Sequence, residues 1–405
     1  MIGDAEHSRW KNHRQQTATK HSKYFLNYAD RYRKPLPENY TALEAERSNL
    51  LVAANQAYAK QAWKDVFEFI WMWGNAVTGF LSVYGHWNDL HTQLEHGIQA
   101  AKIEGDEIDI AALTHSLGII EQETGNYTKA QTLFEQSLEI ARKLQNHSGV
   151  ASCLHQLGRL AESIGDYDKA SLLYQESLDI DQEIDNQIGI AVSLHQLGNL
   201  AYRQGQHSEA QSLYNESLVI NKQINNPAGT AQVLHQLGIL AHRKGDLVAA
   251  QEYYQKSLTI EENQSNQQGI SRVVHQLAII ALDTRQLMQA RQLFQKSLEI
   301  DRKLGNQLGV ASTTHELGCV AHEMGDYDEA EAFYRASLDM FKALQTRDLM
   351  GTALYQLGIL LQDKANDLEA QQAYDQALEI FTALGNEEKI LKTLYQLATL
   401  FHKRE

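Results

Sequence analysis

Proline is almost absent from this chain: there are three in 405 residues, at 35, 37 and 227. So few breakers leave long stretches free to be helical, and a background rich in Leu, Ala, Gln and Glu favours that state. Cysteine is scarcer still, at 153 and 319 only. The two fall in repeats four periods apart, which a stacked array cannot bring within disulfide reach, so a reduced, cytoplasmic setting is expected. Basic side chains are too few to balance the acidic ones, giving a formal net charge of -15. Without a concentrated basic face no nucleic-acid partner is expected, and the acidity reads as solubility. The opening MIGDAEHSRW lacks the basic-then-apolar layout of a secretory signal. Nor is there an uninterrupted apolar run. The stretch VFEFIWMWGNAVTGFLSVYG, at 66–85, carries Glu68, Asn75 and three glycines, and it is expected to be buried helix rather than a membrane span.

What the chain has instead is a period. Aligned with itself at forty residues, it places His115, His155, His195, His235, His275, His315, Tyr355 and Tyr395 in one column. A second column holds Ala130, Ala170, Ala210, Ala250, Ala290, Ala330 and Ala370, and a third runs from Leu138 to Leu378. GHWNDLHTQLEHGIQAAK, from Gly85, fits the register of GNYTKAQTLFEQSLEIAR, from Gly125, and makes a degenerate first copy. The organisation expected is a flexible basic N-terminus at 1–18 and an N-terminal helical segment at 19–70. A degenerate hairpin at 71–110, seven forty-residue repeats at 111–390 and a capping helix at 391–405 complete it.

Each repeat reads as a helical hairpin. In the second, Val150, Leu154, Leu157, Gly158 and Ala161 share one face of helix A. Gly165-Asp166-Tyr167 then interrupts, with Asp166 placed to cap helix B, whose packed face holds Ala170, Leu173, Tyr174, Ser177 and Leu178. Between repeats comes Asn-x-x-Gly, as in Asn186 to Gly189, with the Asn as cap of the next helix A. Pro227, directly after Asn226, sits where the first turn of a helix tolerates proline.

Leu154, Leu157-Gly158 and Ala161, followed by Ala170 and Tyr174, match the pattern Trp-x2-Leu-Gly-x2-Tyr, then Ala-x3-Phe, so the chain resembles a tetratricopeptide-repeat array. The repeat departs from the common form in being forty residues rather than 34, in carrying Leu and Ala for Trp and Tyr, and in lacking the terminal Pro. Longer repeats of this kind are similar to those of kinesin light chains, polarity adaptors and bacterial regulators. The resemblance implies an all-α fold, a right-handed superhelix or α-solenoid with a helical segment before it, whose helices A line a concave, partner-binding face. It does not by itself specify the partner.

All five tryptophans, Trp10, Trp63, Trp71, Trp73 and Trp87, lie in the first hundred residues. There KHSKYFLNYADRY, followed by LEAERSNLLVAANQAY, resembles the helical segment that joins the nucleotide-binding core to the repeats in bacterial signal-transducing NTPases of the STAND class. No GxxxxGK[ST] is present, so no P-loop nucleotide site is expected here. The resemblance implies the sensing half of such a protein, or a stand-alone relative of it.

Seventeen histidines invite a metal or acid–base reading. Catalysis needs unlike groups converging in one pocket, whereas these like groups are spread along a rod. Equivalent helices in a stack lie on the order of 10 Å apart, against about 2.0 to 2.1 Å from nitrogen to zinc. Neither catalysis, nor a metal, nor any cofactor is expected.

Attention therefore falls on the stripe of helix A beside its apolar face, where His155, Arg159 and Glu162 are spaced i, i+4, i+7. Four residues after the histidine column come Ile119, Arg159, Asn199, Ile239, Ile279, Cys319 and Ile359; seven after it come Gln122, Glu162, Tyr202, His242, Leu282, His322 and Gln362. These positions vary while their scaffold neighbours barely change. Arg159, Arg203, Arg243 and Arg272 add a basic strip, which suits an acidic partner. The column Gln156, Gln196, Gln236, Gln276, Gln356 and Gln396, broken by Glu316, stands where peptide-binding relatives place Asn against a ligand's main chain. An extended ligand advances roughly 3.3 Å per residue, about three residues to a rung. His195, Asn199, Gln236, Arg272 and Gln276 also resemble the family's carboxylate clamp, with one assured cation, Arg272, in place of three. For the histidines, among them His155, His195, His235 and His275, two readings stand: locking one rung to the next, or lining the groove. Groove lining would make its charge pH-dependent near neutrality.

The reading is a non-catalytic interaction module, a sensor or adaptor in bacterial signalling that takes a peptide or protein partner, with no nucleic acid and no membrane. The alternative is a scaffold self-associating through its N-terminal helices or solenoid ends.

Overall fold

The computed structural model describes residues 20–31, 37–73 and 80–402, and every regular element among them is an α-helix. The basic segment expected at 1–18, with Trp10, lies outside those residues. So do positions 74–79 of the apolar stretch and the last three residues of the closing helix.

Two compact units divide the chain, Met1–Gln204 and Gly205–Glu405. In the first, α1 (residues 20–31), α2 (Pro37–Ala45), α3 (Arg47–Ala59), α4 (Trp63–Trp73) and α5 (Phe80–Val83) precede α6 (Trp87–Glu104). Trp73, stacked between Phe69 and Phe80, is the largest side chain fully buried there. The helix that packs most closely on α6 from before it is α4, which begins at Trp63. Next come α7 (Glu107–Glu123) with α8 (Tyr127–Lys143), α9 (His147–Ser163) with α10 (Tyr167–Glu183), and α11 (Gln187–Arg203). The second unit opens on α12 (His207–Gln223). It continues with the pairs α13 (Pro227–Arg243) and α14 (Leu247–Asn263), α15 (Gln267–Asp283) and α16 (Leu287–Leu304), α17 (Gln307–Met324) and α18 (Tyr327–Ala343), and α19 (Arg347–Asp363) and α20 (Asp367–Ala383). It closes on α21 (Glu387–His402).

Three periodic devices hold helix A to helix B. The first is glycine under an aromatic ring: a Cβ at Gly158 would fall 2.7 Å from Tyr174 Cε1, and Gly118, Gly238, Gly318 and Gly358 meet the ring of Phe134, Tyr254, Tyr334 or Tyr374 in the same way. The second is a buried serine whose hydroxyl donates across the hairpin to a helix-A carbonyl, Ser137 to Ala111 at 2.8 Å, Ser177 to Ala151 at 2.9 Å and Ser257 to Ala231 at 2.9 Å. The third is one left-handed residue per turn. Glycine fills the A-to-B turn at Gly165 (φ 83°), but Arg285 and Ala365 take the equivalent place in two repeats.

Between repeats, Asn186, Asn226, Asn266 and Asn306 cap the following helix A by accepting from the amides of Gly189, Gly229, Gly269 and Gly309. Their Nδ2 groups donate backwards, to Asp181, Asn221, Glu261 and Asp301 of the preceding helix B, at 2.7–3.0 Å. These four acceptors are buried, and the glycines are what make room for them. Burial raises the Asp181 carboxyl above the ordinary carboxylate range against the bond from Asn186.

Candidate partner-binding face

Within each unit successive A helices approach one another directly, α7 with α9, α9 with α11, α17 with α19 and α19 with α21. No pair of successive B helices approaches as closely as these four pairs. What helix A presents beyond its packed stripe therefore adjoins the same stripe of the next helix A in these pairs.

The histidine column forms the shoulder of this face. Each ring lies on the helix-B aromatic of its own repeat, with centroids 5.5 Å apart for His115 and Phe134, 5.3 Å for His155 and Tyr174, 5.7 Å for His235 and Tyr254, 5.3 Å for His275 and Phe294, and 5.4 Å for His315 and Tyr334. Some also reach forward: His115 hydrogen-bonds the backbone at Ser152, and His275 Nδ1 lies 3.1 Å from Thr313 Oγ1 of the next helix A. Burial drives their basicity down. His155, His275 and His315 are lowered to about 4, chiefly by desolvation, with Arg159 adding repulsion at His155. The pH-dependent charge expected of this row near neutrality is therefore corrected for three of its members: burial keeps the His155, His275 and His315 rings uncharged from pH 5.5 to 8. A carboxyl raised toward neutrality breaks the glutamine column. Glu316, half-buried, is pushed up to about 7, first by desolvation and then by the nearby charge of Asp283.

Beside this shoulder, Gln156, Gln196, Gln236, Gln276 and Gln356 are all half-buried, one amide per rung at similar depth. Asn199 Nδ2 donates to Gln196 Oε1 at 2.8 Å, and Arg159 Nη1 to Gln156 Oε1 at 3.2 Å. The arginines do not form a bare basic strip. Arg159 faces Glu123 at 3.6 Å, Arg203 faces Glu162 at 3.4 Å, and Arg272 faces the buried Glu261 at 3.7 Å. In the second unit His242 pairs with Asp283 at 2.6 Å, and His322 with Asp363 at 2.9 Å. Tyr202 is half-buried and Arg243 exposed.

The structure brings Arg159, Gln196 and Arg203 together around one recess of about 670 Å³, with Glu162 and Tyr167 as its other polar walls. Behind Glu162 stands a residue of the helix-B packed face. Tyr174, on helix B, passes under helix A and donates its hydroxyl to Glu162 Oε2 at 3.2 Å. Tyr374 does the same to Gln362 at 3.0 Å, and Tyr254 meets Gln276 at 3.4 Å. The signal was in the sequence, since five of the seven repeats have Tyr where packing alone asks only for Phe. Where Phe134 stands instead, the equivalent Gln122 is buried and its Oε1 has no hydrogen-bond partner.

Among the described residues, no group of three or more His, Cys, Asp or Glu side chains is placed to hold a metal, and no helix is long and apolar enough to cross a membrane. The tetratricopeptide repeat profile matches residues 109–183, 189–263 and 270–343, and a second profile of that description matches 315–384. The chain belongs to the tetratricopeptide-repeat family. Tetratricopeptide repeats are interaction modules, and the matches indicate no catalytic family. No curated protein matches the sequence.

Solved structures with the same fold include the STAND protein with a tetratricopeptide repeat sensor from Pyrococcus horikoshii. It is 14% identical with a TM-score of 0.64, over 92% of this chain and 55% of that one, so this chain spans about half its length. The apo form of the quorum sensor NprR from B. thuringiensis is 12% identical with a TM-score of 0.61, over 91% and 99% of the two chains. The Rap conjugation gene regulator of plasmid pLS20, solved with the Phr* peptide, is 16% identical with a TM-score of 0.55, over 84% and 98%. At such identities the likeness is one of fold.

Proposed function

We propose that the helix-A stripe of this tetratricopeptide-repeat protein binds an extended peptide, or an extended element of a partner protein, and that the chain serves as a sensor or adaptor in bacterial signalling without catalysis of its own. The observation that carries this reading is the glutamine row. In five of the seven repeats a half-buried amide stands at this position and offers a donor and an acceptor to a passing main chain. Beside it the positions that change from repeat to repeat are half-buried from the second repeat onward, so side chains that differ reach the surface next to the shared amides. Support for the signalling role comes from the fold shared with a STAND sensor, a quorum sensor and a Rap regulator solved with a peptide.

Gln236→Ala with Gln276→Ala removes two adjacent amides from this row. A partner captured by the full chain from its host's lysate is expected to be lost by this variant, with an unchanged thermal melt by circular dichroism. Capture at wild-type strength by a normally folded variant would show that the row does not bind.

A further inference from the structure

We propose that Arg159 and Arg203 form a carboxylate-binding subsite for an acidic side chain of the partner, and that Glu162 occupies it in the unbound protein as an internal stand-in. The inference deepens the reading of the helix-A stripe as a binding face and rests on it.

The recess is built from three consecutive elements of the first unit. Arg159 enters from α9, Gln196 and Arg203 from α11, and Tyr167 from the start of α10. The two guanidinium groups are accessible, with side chains 35% and 53% exposed. Each carries five N–H donors and is committed to little. The ion pairs at 3.6 and 3.4 Å are longer than good charge-assisted hydrogen bonds, and the amide of Gln156 takes one Arg159 donor. Arg203 is steadied from the side by the Tyr167 ring, whose centroid lies 5.9 Å from its Cζ. That contact fixes the direction of the group without using its donors.

Glu162 carries the other half of the argument. Its side chain is 17% exposed, one oxygen accepting from Tyr174 and the other facing Arg203. A carboxylate already stands where an incoming one would be recognised. Arg203 faces Glu162 and Arg159 faces Glu123, so the two cations are already balanced, and an incoming carboxylate is recognised through the N–H donors that these two long ion pairs leave free. Glu123, 46% exposed, touches Arg159 but is not part of the recess walls. The arrangement is confined to the first unit. In the second, the positions equivalent to Arg159 are Ile239, Ile279, Cys319 and Ile359, and those equivalent to Arg203 are Arg243, Asp283, Glu323 and Asp363. In a chain of net charge -15 this is a locally neutral spot, and it selects by position rather than by bulk attraction.

The test uses fluorescein-labelled hexaglutamate and hexaglutamine as probes of the full chain, read by fluorescence anisotropy at low salt. Wild type is expected to prefer hexaglutamate by about tenfold. Arg159→Gln with Arg203→Gln should remove the preference. Glu162→Gln, which vacates the recess without loss of a cation, should widen it by up to about fivefold. The opposite signs guard against misfolding, since a damaged protein cannot bind more tightly. Absence of a preference in wild type, or its survival in the double arginine variant, overturns the subsite. So does tighter binding of a hexaglutamine carrying one phosphoserine than of hexaglutamate, which would make the site one for phosphate. The two proposals fail separately. Loss of partner capture in the glutamine-row variant, with hexaglutamate preference indifferent to the arginines, leaves the face standing and removes the subsite. Capture indifferent to the glutamine row, with a preference that follows the arginines, does the reverse.

Discussion

In the first unit the varying positions of helix A hold Arg159, Glu162, Asn199 and Arg203; in the second, Ile239, Ile279, Ile359 and a protonatable Glu316 stand among them. The scaffold beneath does not differ. A histidine ring rests on a helix-B aromatic, a buried serine reaches a helix-A carbonyl and a glycine lies under a ring in both units. Contacts that hold the hairpins are repeated, and contacts open to a partner are not. Recognition is thereby separable from folding, and substitutions can be sorted by the layer they strike.

Acid strikes the shared layer hardest. In the unfolded chain histidine titrates near its ordinary value of 6.5, whereas His155, His275 and His315 fold at about 4. Stability is therefore complete above pH 6.5 and falls as pH drops toward 4, by about 3 kcal/mol for each ring. Thermal melts across pH 4–8 should show the loss, and NMR titration should place the three resonances below pH 5. Glu316→Gln should break the likeness between units, acting on the second alone. A carboxyl raised from 4.5 to about 7 weakens the fold progressively as pH rises to 7. The variant should gain about 2–3 kcal/mol in denaturant melts at pH 8 and nothing below pH 4.5. Gly158→Ala should cost roughly 1–3 kcal/mol through collision with the Tyr174 ring. The fifth repeat carries Ala278 at this place, fully buried with Phe294. The smallest change should come from Phe134→Tyr, which gives Gln122 Oε1 a donor and stabilises by about 1 kcal/mol, read as a rise in midpoint.

The hairpins, their turns and the asparagine caps were legible because each rests on local chemistry repeated at a fixed interval. Asn186 and Gly189 announce a helix start wherever they occur. The buried acceptors behind those caps were less legible, since Asp181, Asn221, Glu261 and Asp301 share a column with Ala141, Phe341 and Phe381. A polar residue on an apolar stripe was the available sign. Ion pairing across rungs was not readable. Arg159 meets Glu123 and Arg203 meets Glu162 because of the tilt between successive helices, which periodicity does not encode. Nor did composition betray the fate of the histidines. An imidazole on a half-open face and one wedged against a tyrosine ring are the same letter in the same column, and desolvation alone separates their charge at neutral pH.

In four hairpins the bridging serine finds its carbonyl twenty-six residues back, at Ala111, Ala151, Ala231 or Ser271. A bond kept at constant distance along the chain is indifferent to which copy supplies its two halves. Recombination in register between two of these four repeats would cut the gene inside a hairpin and still return the hydroxyl to a carbonyl. The array is thus free to lengthen or shorten by whole multiples of forty codons, and to shuffle its varying side chains, without passing through a product that fails to fold.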